Sequence, residues 1–203
     1  MPHPFATVVS HALVLPKDDV DTDQIIPARF LTTTERLGLG RHLFADWRSD
    51  GNDADVGTFV LNQRGAHSAK ILIAGRNFGC GSSREHAAWA LKDFGFQVIV
   101  ARSFADIFRS NALKNSLLPV ALPDAAHEAL LQVVGNDPSI PLTVDLSVSQ
   151  LSLPDGTAWD FTVPAFSRRC LLEGVDQLGF LLAADVEISA FERSHPSNVT
   201  TVA

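Results

Sequence analysis

Two short apolar runs, residues 70–74 and 97–101, are each followed by a stretch whose apolar positions recur at helical spacing. The pattern predicts a strand over 70–74, a helix over 83–94, a strand over 97–101, a helix over 103–116 and a strand over 118–122. In the second helix Phe104, Ile107, Phe108 and Asn111 share a face, and Ser103 with Asp106 predicts a capping box at its start. Strand and helix in alternation imply a parallel sheet with crossover helices. Outside that core, residues 142–146, 150–153 and 157–163 alternate around Asp155-Gly156, which predicts antiparallel strands. Residues 6–15 predict one further strand, ending in the acidic turn Pro16-Lys17-Asp18-Asp19-Val20-Asp21-Thr22-Asp23. Residues 166–193 turn helical again, interrupted near Gly174 and Gly179, and are expected to pack across the sheet before a polar tail over 194–203. No repeat divides the chain, so residues 1–203 are expected to form one α/β domain with a parallel central core, flanking antiparallel strands and C-terminal helices.

Composition narrows the function. With 46% hydrophobic residues among 203, the chain can bury a substantial core. No apolar stretch approaches the roughly 20 residues of a membrane span. The opening Met1-Pro2-His3-Pro4-Phe5 lacks a basic lead and a sustained apolar core, which predicts a cytoplasmic protein. Cys80 and Cys170 form no CxxC spacing and read as reduced thiols. A net charge of -7 argues against a nucleic-acid partner, which demands a broad basic face. It leaves room for a small anion, held by a few arginines and backbone N–H groups.

The candidate for that role is Asn77-Phe78-Gly79-Cys80-Gly81-Ser82-Ser83-Arg84-Glu85-His86, placed where the first central strand ends and its helix begins. That edge is the usual ligand site of open α/β sheets. Gly79 and Gly81 let backbone approach a ligand, and the helix start attracts anions. The third glycine of GxGxxG is missing, no lysine follows as in a P-loop, and Ser82 lacks the second glycine of GxSxG. What remains is two serines beside an arginine, suited to a carboxylate whose neighbouring C–H is to be deprotonated. A serine can serve as that base only if Arg84, helix N–H groups and exclusion of water hold it near the alkoxide. Ser82-x-x-Glu85 is equally the pattern of a structural capping box, and the two roles are compatible.

The glycine-rich Ser-Ser-Arg-Glu-His-Ala run resembles the swivelling-domain signature of the aconitase superfamily. Asp21-Thr22-Asp23-Gln24-Ile25-Ile26-Pro27 is similar to that family's N-terminal motif, and Ser103-Phe104-Ala105-Asp106-Ile107-Phe108 with Asn111 to its next helix. The likeness runs from about residue 8 to about residue 190 and implies a three-layer β/β/α swivelling domain. It implies Ser82 as catalytic base, Asp23 as a proton-handling or positioning residue, and Ser83 and Arg84 on the substrate carboxylate, with Gly79, Gly81, Glu85 and His86 supporting them. A chain this short without a cysteine set looks like a detached small subunit, and Gly40-x-His42-Leu43-Phe44-x-Asp46-Trp47-Arg48 resembles the 3-isopropylmalate dehydratase family. By analogy the loop over 30–36 sets substrate choice, Arg29 and Arg36 meeting a carboxylate while Phe30 and Leu31 line an isopropyl group. The arginines read equally as solvated surface.

That family implies dehydration of 2-isopropylmalate and rehydration to 3-isopropylmalate in leucine biosynthesis. The partner implied is a large subunit holding a 4Fe-4S cluster, with no cofactor or metal on this chain. Cys80 alone is too few thiolates for a cluster, His86 reads as a supporting residue, and Asp18, Asp19 and Asp21 lack the offsets of a calcium loop. Two readings stay open beside it: the small subunit of a homoaconitate or citraconate/methylmalate dehydratase, and a non-catalytic carboxylate-binding regulatory module.

Overall fold

The computed structural model describes residues 4–32, 35–48 and 59–195. In chain order its elements are β1 (Val8–Ser10), β2 (Ala12–Leu15), α1 (Thr22–Ile25), α2 (Ala45–Arg48), β3 (Ile71–Ala74), α3 (Glu85–Phe94), β4 (Val98–Ala101), α4 (Asp106–Lys114), β5 (Leu118–Ala121), α5 (Asp124–Asn136), β6 (Leu142–Asp145), β7 (Gln150–Ser152), β8 (Ala158–Asp160), α6 (Ala165–Glu173), α7 (Gln177–Ala183) and α8 (Asp185–Ser194). A parallel sheet runs β2-β3-β4-β5 and an antiparallel sheet β1-β6-β7-β8.

Alternate residues of the parallel strands face opposite layers. Leu72, Ala74, Ile99 and Ala101 pack with Ala87, Leu91 and Phe94 of α3 and Phe108 of α4. Ile71, Ile73, Val98, Val100 and Val120 pack with Val8, Leu142, Val144 and Leu151 of the antiparallel sheet and with Leu130 and Val134 of α5. The three β/β/α layers follow from this: β3 and β4 are buried at every position, so both faces need a cover. Pro119 is tolerated because β5 is an edge strand, where a missing N–H breaks no ladder.

Three details depart from the sequence pattern. The strand expected over residues 6–15 is two strands in different sheets, β1 pairing antiparallel with β6 and β2 parallel with β3. Its polarity registers the change: Val9 faces solvent at 58% exposure, while Ala12 and Leu13 are both buried. Ser10 stitches the crossing, its hydroxyl donating to the His11 carbonyl and accepting from the Lys70 N–H at 3.0 Å. Helix α5 lies where no helix was expected. Its inner face is His127, Leu130 and Val134, a stripe that begins with a residue counted as polar. At the C-terminus α6 buries Cys170 and Leu171, whereas α7 and α8 bury no residue, so only α6 packs across the core. Residues 196–203 of the expected tail lie outside the described residues. None of the described helices is long and apolar enough to cross a membrane.

His127 is buried and fully partnered. Nε2 donates to the Ala74 carbonyl at 2.7 Å and Nδ1 accepts from Arg102 Nε at 3.4 Å, an arrangement that requires neutral imidazole. Burial pushes its pKa down, and Arg102 adds to that, against the pull of the Ala74 carbonyl. His42 is shifted the same way by burial and by Arg41 and Arg29. Because the folded values lie below the ordinary value of about 6.5, the unfolded chain takes up these protons first as pH falls. Stability is therefore complete above about pH 6.5 and declines below it. Urea denaturation at stepwise pH should show the midpoint dropping below that value, and His127→Gln should flatten the drop; a slope unchanged in the variant would refute the assignment.

Candidate functional site

Beyond β3 the chain descends through residues 75–84 before α3, and backbone bonds fix this loop on two sides. Phe78 N donates to Ser103 O at 3.0 Å, and Asn77 N to Ser103 Oγ at 2.9 Å. On the other side Gly79 N donates to Val20 O at 2.7 Å and Thr22 N to Cys80 O at 2.9 Å, so residues 20–22 run beside 79–82. The buried Thr22 hydroxyl closes the seam with a 3.0 Å bond to Ser82 O.

Helix α1 is short but well begun. Asp21 accepts from Gln24 N at 2.7 Å while Gln24 Oε1 accepts from Asp21 N at 3.0 Å, a reciprocal capping box. The two capping boxes expected elsewhere are not formed. Helix α3 has Arg84 at its N-cap with no side-chain bond, because Glu85 turns to Asn115 Nδ2 at 2.7 Å and the Trp89 indole. Helix α4 begins after Ala105 without a side-chain cap, since Ser103 is spent on Asn77.

With Asp21 capping α1, Asp23 is the helix's second residue, where it forms an ion pair with Arg84. The guanidinium is 20% exposed and the carboxylate 51%. Ser82 and Ser83 are exposed on the same loop, and neither hydroxyl has a hydrogen-bond partner among the described residues. Arg84 and Asp23 come together, and the exposed Ser82 and Ser83 immediately precede Arg84 in the chain. A groove of about 1530 Å³ is lined by Arg36, Glu85, Trp89 and Asn115 among others, and one of about 540 Å³ by none of the candidate residues.

Arg29 and Arg36 both have neighbours within the chain. Arg29 pairs with Asp46 and lies 4.6 Å from the Phe30 ring. Phe30 stacks on His42 with centroids 3.9 Å apart, and Leu31 is half-buried against the core. Arg36 lies over the Trp89 ring at 5.4 Å, and His86 packs against the same indole at 4.5 Å. Thr33 and Thr34 of this loop lie outside the described residues. Thr22, Trp89 and Asn115 had no assigned role; the spacing of Asp21 and Gln24 was the available signal for the first.

Cys80 is half-buried rather than enclosed, and its thiol is pushed up by burial, with Asp21 and Asp19 adding to the effect. A thiol that holds its proton is a poor cluster ligand. Among the described residues no group of three His, Cys, Asp or Glu is placed to hold a metal ion.

This geometry has relatives. The small subunit of 3-isopropylmalate dehydratase from Chloroflexus aurantiacus is 53% identical over 198 residues, covering 98% of either chain. The chain belongs to the family of 3-isopropylmalate dehydratase small subunits. Another member, from Roseiflexus castenholzii, is 47% identical and covers 99% of this chain and 98% of its own. The crystal structure of 3-isopropylmalate dehydratase from Methanocaldococcus jannaschii superposes with a TM-score of 0.66 at 28% identity, covering 92% of this chain and 99% of that one. The aconitase C-terminal domain family matches residues 3–125, a span that takes in α1, the serine loop, α3 and α4.

The small-subunit loop depends on Gly79. Gly79 has φ +77, and a Cβ there would fall 2.2 Å from Cγ of the buried Phe108. At Gly81, φ +87, the nearest atom would be 3.4 Å away. Gly81→Ala should cost about 1 kcal/mol, from backbone conformation alone. Gly79→Ala should cost about 2–4 kcal/mol, because Phe108 must also move. Comparing the two in urea denaturation tests this; equal losses would show that Phe108 yields freely.

Proposed function

We propose that this chain is the small subunit of a 3-isopropylmalate dehydratase, a hydro-lyase of leucine biosynthesis, and that Ser82 is its base. The observation that carries the reading is a free, exposed serine hydroxyl on the same loop as an arginine whose other neighbour is the Asp23 carboxylate. Guanidinium offers five N–H donors in one plane, so Arg84 can bind a substrate carboxylate while still contacting Asp23. Ser83 precedes Arg84 in the chain and supplies a further hydroxyl donor.

The carbon next to that carboxylate gives its proton to Ser82 Oγ, the neighbouring hydroxyl departs, and water returns with the two positions exchanged. An alkoxide-like serine cannot persist in bulk water; it needs fixed positive potential and exclusion of solvent. This chain supplies the first through Arg84 and the start of α3. Its open surface does not supply the second, which supports a two-chain active site covered by the large subunit. That subunit holds the 4Fe-4S cluster, which provides Lewis-acid chemistry for the departing hydroxyl. Asp23 keeps Arg84 oriented, and Phe30 and Leu31 lie on the segment that meets the isopropyl group.

The test is the complex of this chain with its large subunit, followed by ultraviolet absorbance of the unsaturated diacid. Ser82→Ala should leave the complex assembled and lower turnover by about 10³-fold or more. Arg84→Lys keeps the charge but loses the fork, and should lower kcat/KM by about 10²-fold. Turnover near normal in Ser82→Ala would exclude the base, and a wild-type complex that prefers a hydroxy-diacid with another side group would reassign the substrate.

A further inference from the structure

One face of α3 is turned to the end of α4. Glu85, Trp89 and Lys92, spaced at i, i+4 and i+7, all bond residues 115–116. Asn115 Nδ2 donates to Glu85 Oε1 at 2.7 Å, the Trp89 indole N–H donates to Asn115 Oδ1 at 3.0 Å and to Glu85 Oε1 at 3.4 Å, and Lys92 Nζ donates to Ser116 O at 2.7 Å. Asn115 is itself fixed as the C-cap of α4, its backbone N–H and its Nδ2 both donating to Asn111 O. Its amide is fully used, one hydrogen on Glu85, one on Asn111 and the oxygen on Trp89. Glu85 is the first residue of α3 and follows Arg84 directly. A carboxylate at that position is ordinarily drawn to the unsatisfied N–H groups and the positive dipole end of its own helix. Here it is held at the junction with α4 instead, and α3 starts without a side-chain cap.

Charge gives this arrangement its purpose. Arg84 already has one carboxylate beside it, that of Asp23. A second one at the helix start would leave the site net negative and oppose an incoming hydroxy-diacid. We propose that Asn115 is a positioning residue which, with Trp89, withholds the Glu85 carboxylate from the start of α3 and so keeps Arg84 and the helix N–H groups open to a substrate carboxylate. Asn115 acts through Glu85 rather than on the substrate. The inference rests on the dehydratase reading and deepens it by naming what preserves the positive potential on which Ser82 depends.

The complex with the large subunit tests it. Asn115→Ala should raise KM for 2-isopropylmalate about tenfold, because the released carboxylate competes with that of the substrate, while kcat falls by less than about threefold. In a Glu85→Gln background the side chain keeps an acceptor oxygen but carries no charge, and the same Asn115→Ala change should alter KM by less than about twofold. A merely structural Asn115 predicts equal losses in both backgrounds, since its hydrogen bond persists with glutamine. Should Asn115→Ala fail to assemble, Trp89→Phe removes one donor and keeps a ring, and should raise KM about threefold in the native background and leave it level in Glu85→Gln. An unchanged KM, a loss carried by kcat alone, or equal losses in both backgrounds would overturn the proposal while leaving the dehydratase reading intact. A wild-type complex inert on 2-isopropylmalate would instead remove that reading, and this inference with it.

Discussion

The seam between residues 20–22 and residues 79–82 is the constraint on which the site depends. Two backbone bonds and the Thr22 hydroxyl tie two stretches that are some sixty positions apart in sequence. Without that seam Asp23 has no reason to lie near Arg84, and the serine loop has no floor. The seam in turn requires Gly79, whose backbone donates to Val20 while its missing side chain admits the Phe108 ring. Packing in the helical layer and geometry at the surface are thus one problem with one solution.

Energetics separate what holds this arrangement from what uses it. The Asp23 carboxylate is half-exposed, and ion pairs of that kind are worth about 0–1 kcal/mol. The pair therefore adds little to folding, and its value is directional: it fixes where a guanidinium points. The fold is carried by burial on both faces of the parallel sheet.

Much of this was legible in the sequence because the sheet is buried on both faces. Continuous apolar runs such as residues 70–74 mark β3 without reference to anything distant. The serine loop was legible for a similar reason, since glycines, serines and arginine lie together in the chain. What failed was information held between segments. Ser82-x-x-Glu85 and Ser103 with Asp106 both have capping spacing, yet Asn115 and Trp89 claim Glu85, and Asn77 claims Ser103. The change of sheet at His11 depends on which neighbours β1 and β2 find, and α5 was missed because its inward face opens with His127, whose partner is the carbonyl of Ala74.

Helices α7 and α8 have a consequence of their own. They have seven and ten residues and bury none of them, although Leu178, Leu181, Leu182, Val186 and Phe191 are apolar and exposed. Helices this short are marginal alone in water, and the edge-to-face packing of Phe180 on Phe166 ties α7 to α6 while α8 rests on α7. Their amides will exchange with solvent deuterium through local opening long before those of the sheets, making this end of the chain a separate, weakly cooperative unit.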